Sequence, residues 1–330
     1  MKPVLGIVMG DASGVGPEVT VKALAQTEAA CRFLVIGDRR TFDAAASLAG
    51  VVFAGIPAYA EDGSARIQLL DTANLDPSAF RRGEGSLASA RAVIEDLHTA
   101  LNMLKTSAIA GLVFGPLDKK KLREAGQAYR DEHEMFADYL GMPGEGDAVN
   151  VLDGVWAGRV TSHIPLSEVS GSLSVERILK TVRRIDGYLR ATGHKLPRIA
   201  VSALNPHCGE GGSCGREELD CIIPAIEQAR VEGINASGPI PADMICVRTF
   251  LQKDFDGIVS MFHDQAQTGI KLLAKRRSIT VTGGLPYPIC TTSHGTGYDL
   301  AGTGRALSVS MEQAIAVAAD MIATATAGNS

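Results

Sequence analysis

The sequence predicts an α/β fold with a mostly parallel sheet, because strand-like and helix-like segments alternate along the whole chain. Apolar runs such as VLGIVMG at 4–10 and RFLVIGD at 32–38 are each followed by a turn and a helical pattern. A second observation is that polar residues collect directly after these runs, as at Asp11, Asp38 and Asp118. In open α/β sheets, ligands bind outside the carboxyl ends of the strands. The pattern therefore predicts an enzyme with its site at that edge.

The individual elements have local signals of their own. Pro17, after the glycines of GDASGVGPE, predicts the start of a helix. The clearest helix is 85–104, which is rich in alanine and has apolar residues at a spacing of three to four. Two apolar runs flank Gly158 and predict a hairpin with antiparallel pairing. The pattern at 311–325 predicts a terminal helix.

Length, composition and charge exclude several classes of protein. The chain has 330 residues, enough for two domains, and 21% of them are charged, as in ordinary globular proteins. The net charge is −5 and the basic clusters are short, so no nucleic-acid surface is expected. No apolar stretch approaches the roughly 18 residues of a membrane span. Six cysteines without export features predict reduced thiols in a cytoplasmic protein.

Three of the seven histidines follow strand-like runs and have loop-forming or polar neighbours. They are His163 in SHIPL, His207 in NPHCGEGG and His263 in FHDQ. Three imidazoles are a common catalytic metal set that leaves positions open for water or substrate. The nearby carboxylates of Glu210 and Asp264 could orient them. Spacing alone leaves a second interpretation open, namely three loop histidines with ordinary hydrogen bonds.

Two glycine-rich segments are candidates for ligand binding. GDASGVGPE at 10–18 places a helix start after a strand, which suits an anion, but it does not match the dinucleotide pattern G-x-G-x-x-G. In HGTGYDLAGTGRA at 294–306 the glycines let the backbone approach a ligand, and Asp299 could accept hydrogen bonds from a ribose. For both segments a purely structural turn remains the alternative.

Taken together, these motifs resemble a known family. GDASGVGPE and HGTGYDLAGTGRA look like the two ends of the isocitrate/isopropylmalate dehydrogenase superfamily. Between them, GPLDK, SHIPL, LNPHCGEGG, GPIPAD and HDQ occur in the order typical of the 4-hydroxythreonine-4-phosphate dehydrogenase family of vitamin B6 biosynthesis. The resemblance covers about residues 4–320. Each motif is weak by itself, whereas the ordered set is specific.

The resemblance implies a fold and an assembly. It implies two α/β/α subdomains around a cleft, with a mixed sheet: a cofactor-side subdomain of about 1–125 with 270–330, and a dimer-forming subdomain of about 126–269. It also implies a homodimer with the active site at the subunit interface, so the metal ligands need not come from one chain.

The resemblance also assigns residues. His163, His207 and His263 correspond to the ligands of a divalent metal, usually zinc, with Mg or Co also effective. Lys271 corresponds to the lysine that binds the phosphate group of the substrate. The NAD or NADP cofactor is expected at three further residues, which are Gly284, His294 and Asp299.

The sequence departs from the family at the predicted substrate contacts. Glu132 and His133 replace a His and a Thr, while Thr280 and Ile289 replace an Asn and an Arg that bind phosphate. Loss of the Arg removes a bidentate partner for the phosphate, although basic residues at 275–277 could compensate. Ala266 replaces a Gly.

The resulting hypothesis is a metal-dependent NAD(P) dehydrogenase that oxidises the secondary hydroxyl of a small hydroxy acid of the 4-hydroxythreonine-4-phosphate type. β-Decarboxylation would follow where a carboxylate lies β to the new ketone, and Lys119 or Asp264 would move the proton. Two alternatives remain. One is the same chemistry on an unphosphorylated hydroxy acid or a cis-dihydrodiol carboxylate, and the other is a non-catalytic, metal-stabilised binding protein.

Overall fold

A computed structural model describes residues 2–61, 63–274 and 277–328. Strands and helices alternate, as the sequence predicts. The strands are β1 (Val4–Val8), β2 (Arg32–Gly37), β3 (Ile67–Asp71), β4 (Gly111–Phe114), β5 (Asp147–Leu152), β6 (Val155–Arg159), β7 (Ile199–Ser202), β8 (Ala236–Ile240), β9 (Gly257–Ser260), β10 (Ile279–Gly283) and β11 (Ile289–Thr292). The α-helices are α1 (Gly16–Gln26), α2 (Arg39–Ala49), α3 (Leu87–Lys105), α4 (Lys119–Glu124), α5 (Glu132–Tyr139), α6 (Leu166–Ser172), α7 (Val175–Ala191), α8 (Ile223–Val231), α9 (Ala242–Cys246), α10 (His263–Ala274) and α11 (Val309–Gly328).

Local chemistry explains where several helices begin. Pro17 lies in the first turn of α1, as predicted. Asp38 caps α2 by accepting a hydrogen bond from the amide of Thr41, and Asp118 caps α4 in the same way. These carboxylates satisfy amides that have no partner within the helix. Two of the polar residues that follow strands are therefore helix caps.

The first unit comprises Met1–Ala148 and Ile279–Ser330. Its strand order is β3-β2-β1-β4-β11-β10. The pairings from β3 to β11 are parallel, and β10 runs antiparallel to β11. α3 contributes buried leucines and alanines to the core of this unit.

The second unit is Val149–Ser278. Its strand order is β5-β6-β9-β7-β8, with β5 beginning two residues before the unit boundary. β5 and β6 are antiparallel, while the pairings of β6, β9, β7 and β8 are parallel. Both units are thus α/β, and their strands are of mixed direction.

The boundaries of these units differ from the predicted subdomains, 1–125 with 270–330 and 126–269. Packing explains the difference. Met135 and Phe136 of α5 belong to the apolar core of the first unit, so this unit extends to residue 148. Ile270 and Ala274 of α10 belong to the apolar core of the second unit, so that unit extends to residue 278.

The hairpin forms between β5 and β6, but its turn is not at Gly158. Gly158 lies within β6, and the turn is Asp153–Gly154, with φ values of 49° and 82°. Two consecutive residues with positive φ are typical of a type I′ turn, whose twist matches that of the paired strands. An Asp-Gly pair is a favoured sequence for this turn.

None of the described helices is both long and apolar enough to cross a lipid bilayer.

Candidate active site

The three predicted metal ligands follow neighbouring strands of the second unit. His163 comes after β6, His263 after β9 and His207 after β7. β9 pairs in parallel with both β6 and β7, so the carboxyl ends of these strands open at the same edge. The structure thus places the three histidines at strand ends, as the sequence predicts.

His163 and His263 line one cavity. Their ring centroids are 5.8 Å apart, and the cavity of about 350 Å³ is also lined by Thr161, Phe262 and Asp264. With Zn–N distances of about 2.0–2.1 Å, two imidazoles on one ion have centroids roughly 5–6 Å apart. The pair therefore has the spacing of two ligands of a single ion.

His207 and His263 each have a carboxylate at Nδ1. The distance from His207 Nδ1 to Glu210 Oε1 is 2.7 Å, as is that from His263 Nδ1 to Asp264 Oδ1. Because a carboxylate only accepts, Nδ1 donates, and in the neutral ring the lone pair lies at Nε2. The hydrogen bond to Glu210 also raises the pKa of His207. Histidines that bind metals commonly have their second nitrogen held in this way.

Two of the three predicted ligands have a left-handed backbone. The φ value is 54° at His163 and 50° at His207. This conformation costs a non-glycine residue roughly 1–2 kcal/mol. Backbone strain of this kind clusters at active sites and ligand clamps, which favours a functional role for both residues.

The donor chemistry fits a divalent metal, although the described part of one chain does not complete a site. Among residues 2–61, 63–274 and 277–328, no three His, Cys, Asp or Glu side chains lie close enough to hold an ion. Imidazoles that present Nε2 suit zinc and related metals. The side chain of His207 is 79% exposed, so it is accessible to a ligand.

α10 carries two further predicted residues. Asp264 is exposed, and its carboxylate accepts a hydrogen bond from His263. This hydrogen bond orients the imidazole of His263. Lys271, the predicted phosphate ligand, has an exposed side chain on the same helix. It lies about 12 Å beyond His263 along the helix axis, since each residue adds about 1.5 Å.

In the first unit, three predicted residues form one cluster. Glu132 Oε2 lies 3.0 Å from Lys119 Nζ, and Glu132 Oε1 lies 3.8 Å from His133 Nε2. His133 is buried, and its Nδ1 lies 2.8 Å from Thr282 Oγ1. Burial lowers the pKa of His133. The predicted base, Lys119, is therefore held by one of the residues at which the chain departs from the family.

The other two departures at predicted substrate contacts lie on neighbouring strands. Thr280 is half-buried in β10, and Ile289 in β11 is fully buried in the apolar core. Of the basic residues that could replace the lost Arg, Arg277 pairs with Asp153 at 3.0 Å. The other two, Lys275 and Arg276, lie outside the described residues.

The predicted cofactor residues are accessible. Gly284 has a φ of 80° and follows β10. His294 donates through Nδ1 to the carbonyl oxygen of Gly295 at 2.9 Å, which leaves Nε2 as an acceptor. Asp299 is exposed in the glycine-rich loop. Their assignment to the cofactor stays a prediction.

Sequence reasoning missed Tyr298. Its hydroxyl lies 2.6 Å from Asp11 Oδ2 and 2.8 Å from Asp118 Oδ2, so it links three of the motif loops. Burial and the two carboxylates raise the pKa of Tyr298 strongly. Its partners are 287 and 180 residues away in sequence, so no local pattern could have revealed these contacts.

The fold is that of the isocitrate dehydrogenase-like enzymes. Isocitrate dehydrogenase from Methylococcus capsulatus is 14% identical, with a TM-score of 0.52 and coverage of 99% of this chain and 88% of that chain. This likeness shows the fold alone. It agrees with the fold class that the sequence predicts, α/β with strands of mixed direction.

Closer comparisons define the family. The family model of the pyridoxal phosphate biosynthetic protein PdxA matches residues 29–318. A relative from Rhizobium meliloti (strain 1021) is 41% identical over 97% of this chain and 93% of its own. The 4-hydroxythreonine-4-phosphate dehydrogenase of Trichlorobacter lovleyi is 37% identical over 98% of each chain. The crystal structure of a 4-hydroxythreonine-4-phosphate dehydrogenase from Burkholderia phymatum is 31% identical, with a TM-score of 0.80 and coverage of 97% and 98%. The chain therefore belongs to the PdxA family.

Family membership confirms the predicted reaction class, an oxidoreductase acting on a CH–OH group in pyridoxal phosphate synthesis. An NAD(P) cofactor and a divalent metal are consistent with this family. The comparisons do not favour a different substrate or a non-catalytic binding protein.

Proposed function

We propose that the protein oxidises the secondary hydroxyl of 4-hydroxythreonine 4-phosphate, with NAD or NADP as hydride acceptor and a divalent metal, zinc as the first choice, with Mg or Co as substitutes. Relatives named for this activity support the substrate. The observation that carries the proposal is the pair of carboxylate-held imidazoles at His207 and His263.

In this proposal His163, His207 and His263 hold the metal. When bound, a divalent ion supplies Lewis acidity, which lowers the pKa of a substrate hydroxyl. Glu210 and Asp264 hold Nδ1 of His207 and His263, so that Nε2 of each ring would be the atom that binds the ion. The left-handed backbone at two of the three histidines supports the same assignment.

The remaining residues bind substrate and move its proton. Lys119 is the first candidate for moving the hydroxyl proton, and Glu132 Oε2 lies 3.0 Å from its Nζ. Asp264 is the second candidate for this transfer. Lys271 binds the phosphate as a point charge. If a carboxylate lies β to the new ketone, CO₂ leaves in a second step.

The cofactor lies at the glycine-rich loop. Gly284 permits close approach of the backbone, His294 offers Nε2 as an acceptor, and Asp299 accepts hydrogen bonds from the ribose hydroxyls. The choice between NAD and NADP depends on side chains near the ribose.

The working form is a homodimer with the active site at the subunit interface. The exposure of His207 supports this, because a 79% exposed side chain is accessible to a second chain. A cytoplasmic location is supported by the six cysteines, all of which are free thiols.

Substitution of His207 tests the proposal. His207→Ala removes one metal ligand and should abolish metal-dependent oxidation, measured by the absorbance of the reduced nicotinamide with the phosphorylated substrate. His194→Ala, a half-buried histidine in a loop of the same unit, is the matched control and should keep its activity. Full activity of the wild type in metal-free buffer would contradict the mechanism.

A further inference from the structure

The segment that carries His207 has an unusual backbone. Six consecutive residues, from His207 to Gly212, have positive φ values between 45° and 100°. Three of the six are not glycine, and each of these costs roughly 1–2 kcal/mol in this conformation. Such a segment persists only where its surroundings hold it in place.

A single carboxylate holds the chain just before this segment. The amide nitrogens of Leu204 and Asn205 each lie 2.8 Å from Glu218 Oε1, and Asn205 Nδ2 lies 2.9 Å from Glu218 Oε2. Asn205 Nδ2 also donates to Glu217 Oε2 at 2.6 Å. Asn205 is therefore fixed through both backbone and side chain, and only Pro206, whose φ is restricted, separates it from His207.

Glu218 is buried for this contact. It is 1% exposed and begins a single π-helical turn, Glu218–Ile222. A buried carboxylate is unfavourable unless hydrogen bonds compensate it, and the three donors from Leu204 and Asn205 provide that compensation. Single π turns occur frequently at functional sites.

The main chain encloses this contact on two sides. A Cβ on Gly209 would lie 2.7 Å from Glu218 Oε2, and a Cβ on Gly215 would lie 2.2 Å from Asn205 Nδ2. Both glycines have positive φ, at 74° and 95°. The space around Asn205 and Glu218 therefore accepts little change in size or shape.

We infer that Glu218 is a positioning residue for metal binding, which holds the loop of His207 through Asn205 so that the imidazole is presented in one orientation. This inference rests on the proposed role of His207 as a metal ligand. Glu218 acts without touching substrate or metal, and its effect passes through the backbone of 204–207.

The test compares Glu218→Gln with Glu218→Ala in the full-length protein. Gln keeps the shape but turns one oxygen into an NH₂ group that faces a donor, whereas Ala removes all three hydrogen bonds. Calorimetric titration with Zn²⁺ should show about 10- to 100-fold weaker binding for Gln, as for other residues that orient a metal ligand, and a larger loss for Ala. Hydrogen exchange of the metal-free protein should be faster in residues 204–212.

Asp220→Asn is the matched control. It removes a carboxylate from the same π turn, but this carboxylate is exposed and pairs with Arg216 at 2.9 Å. Its zinc affinity and hydrogen exchange should equal those of the wild type. If Asp220→Asn weakens zinc binding as much as Glu218→Gln, the effect belongs to the turn in general and the inference is wrong.

Hydrogen exchange separates this inference from the proposed function. If the wild type binds no divalent metal but Glu218→Gln still speeds exchange in 204–212, the metal role of His207 fails and the positioning of the loop by Glu218 stands. If exchange in 204–212 is unchanged in Glu218→Gln, the inference is overturned whatever the metal titration shows. Should Glu218→Ala not fold, Glu218→Gln decides alone.

Discussion

At the scale of single residues, the contact between His263 and Asp264 explains why two ionisable groups follow a buried strand. β9 ends in the core, and both groups would be unfavourable there without partners. The structure resolves this by exposing the carboxylate of Asp264 and directing it to His263 Nδ1. The carboxylate selects one tautomer of the ring, which leaves Nε2 free to bind a metal.

Substitution of Asp264 by Asn should therefore weaken metal binding without unfolding the protein. Asn lacks the negative charge that orients the imidazole of His263 through Nδ1, and a decrease of about 10- to 100-fold in affinity is expected. Competition with a chromogenic chelator measures it. Glu227→Gln, an exposed carboxylate on α8, is the control. Equal affinities for all three proteins would show that Asp264 does not tune the ligand.

His133 should make stability depend on pH. Burial lowers its pKa below the ordinary 6.5, so below about pH 6.5 the unfolded chain binds a proton that the folded protein does not. Stability is therefore lost as the pH falls from about 6.5 towards the folded pKa, by up to about 1.4 kcal/mol per pH unit. His133→Asn should lose less stability over this range in urea unfolding experiments.

Asp96 changes the stability with pH in the direction opposite to His133. The comparison of the wild type with His133→Asn is needed for this reason. Burial raises the pKa of Asp96 from 3.8 to about 7, so the folded protein keeps a proton that the unfolded chain releases. Its contribution to stability is lost as the pH rises from about 4 to 7. Because both proteins contain Asp96, its contribution cancels in the difference between them. If the difference in unfolding free energy between the wild type and His133→Asn does not change with pH, the neutral state of His133 in the folded protein is contradicted.

At the scale of elements, the turn between β5 and β6 shows how a local signal fixes a register. Asp153 and Gly154 both have positive φ, and the register that follows pairs Leu152 with Val155. A shift by one residue would turn every side chain of the hairpin to the opposite face. The hairpin was predictable because Asp-Gly is a strong turn signal, but the apolar runs around Gly158 suggested the wrong centre.

Gly154→Ala should destabilise the protein by roughly 1–2 kcal/mol, because alanine is strained at a φ of 82°. Gly187→Ala is the matched control in the same unit. Gly187 is exposed in the middle of α7, and nothing lies within 4 Å of an added Cβ. That variant should gain about 0.5–1 kcal/mol. Urea unfolding at one pH measures both, and the same sign for the two variants would refute the assignment of the turn.

At the scale of the whole molecule, the proposed dimer makes a strict prediction for mixtures of variants. His207→Ala and His263→Ala are each expected to be inactive. In a mixed dimer, the intact His163 and His263 of one chain would meet the intact His207 of the other and restore one of two sites. Random assortment into symmetric dimers would then recover about a quarter of wild-type activity.

The experiment requires exchange of subunits, which dilution and reconcentration of the mixed variants provides. Activity is followed by the formation of reduced nicotinamide, and light scattering reports the mass of the assembly. Recovery of activity should appear only after mixing. If the mixture stays inactive while the subunits exchange, His207 and His263 of one site come from the same chain, and the proposed division of the ligands between two chains is wrong.

The sequence by itself determined the α/β class, the three histidines at strand ends and the reaction class. The α/β class and the strand-end histidines follow from local information, because apolar periodicity and turn residues each span only a few residues. The reaction class follows from the resemblance of the ordered motifs to a known family. Asp38 and Asp118 show the limit of such reasoning, since a polar residue after a strand can equally be a helix cap.

The tertiary structure alone decided which distant groups meet. Glu218 was not among the predicted residues. Its hydrogen bond with the amide of Asn205 depends on how the π turn packs against the loop that follows β7. Tyr298 reaches carboxylates 287 and 180 residues away, and the boundaries between units follow the packing of α5 and α10. These contacts depend on which elements become neighbours, and that is set by burial of the whole core rather than by any short stretch of sequence.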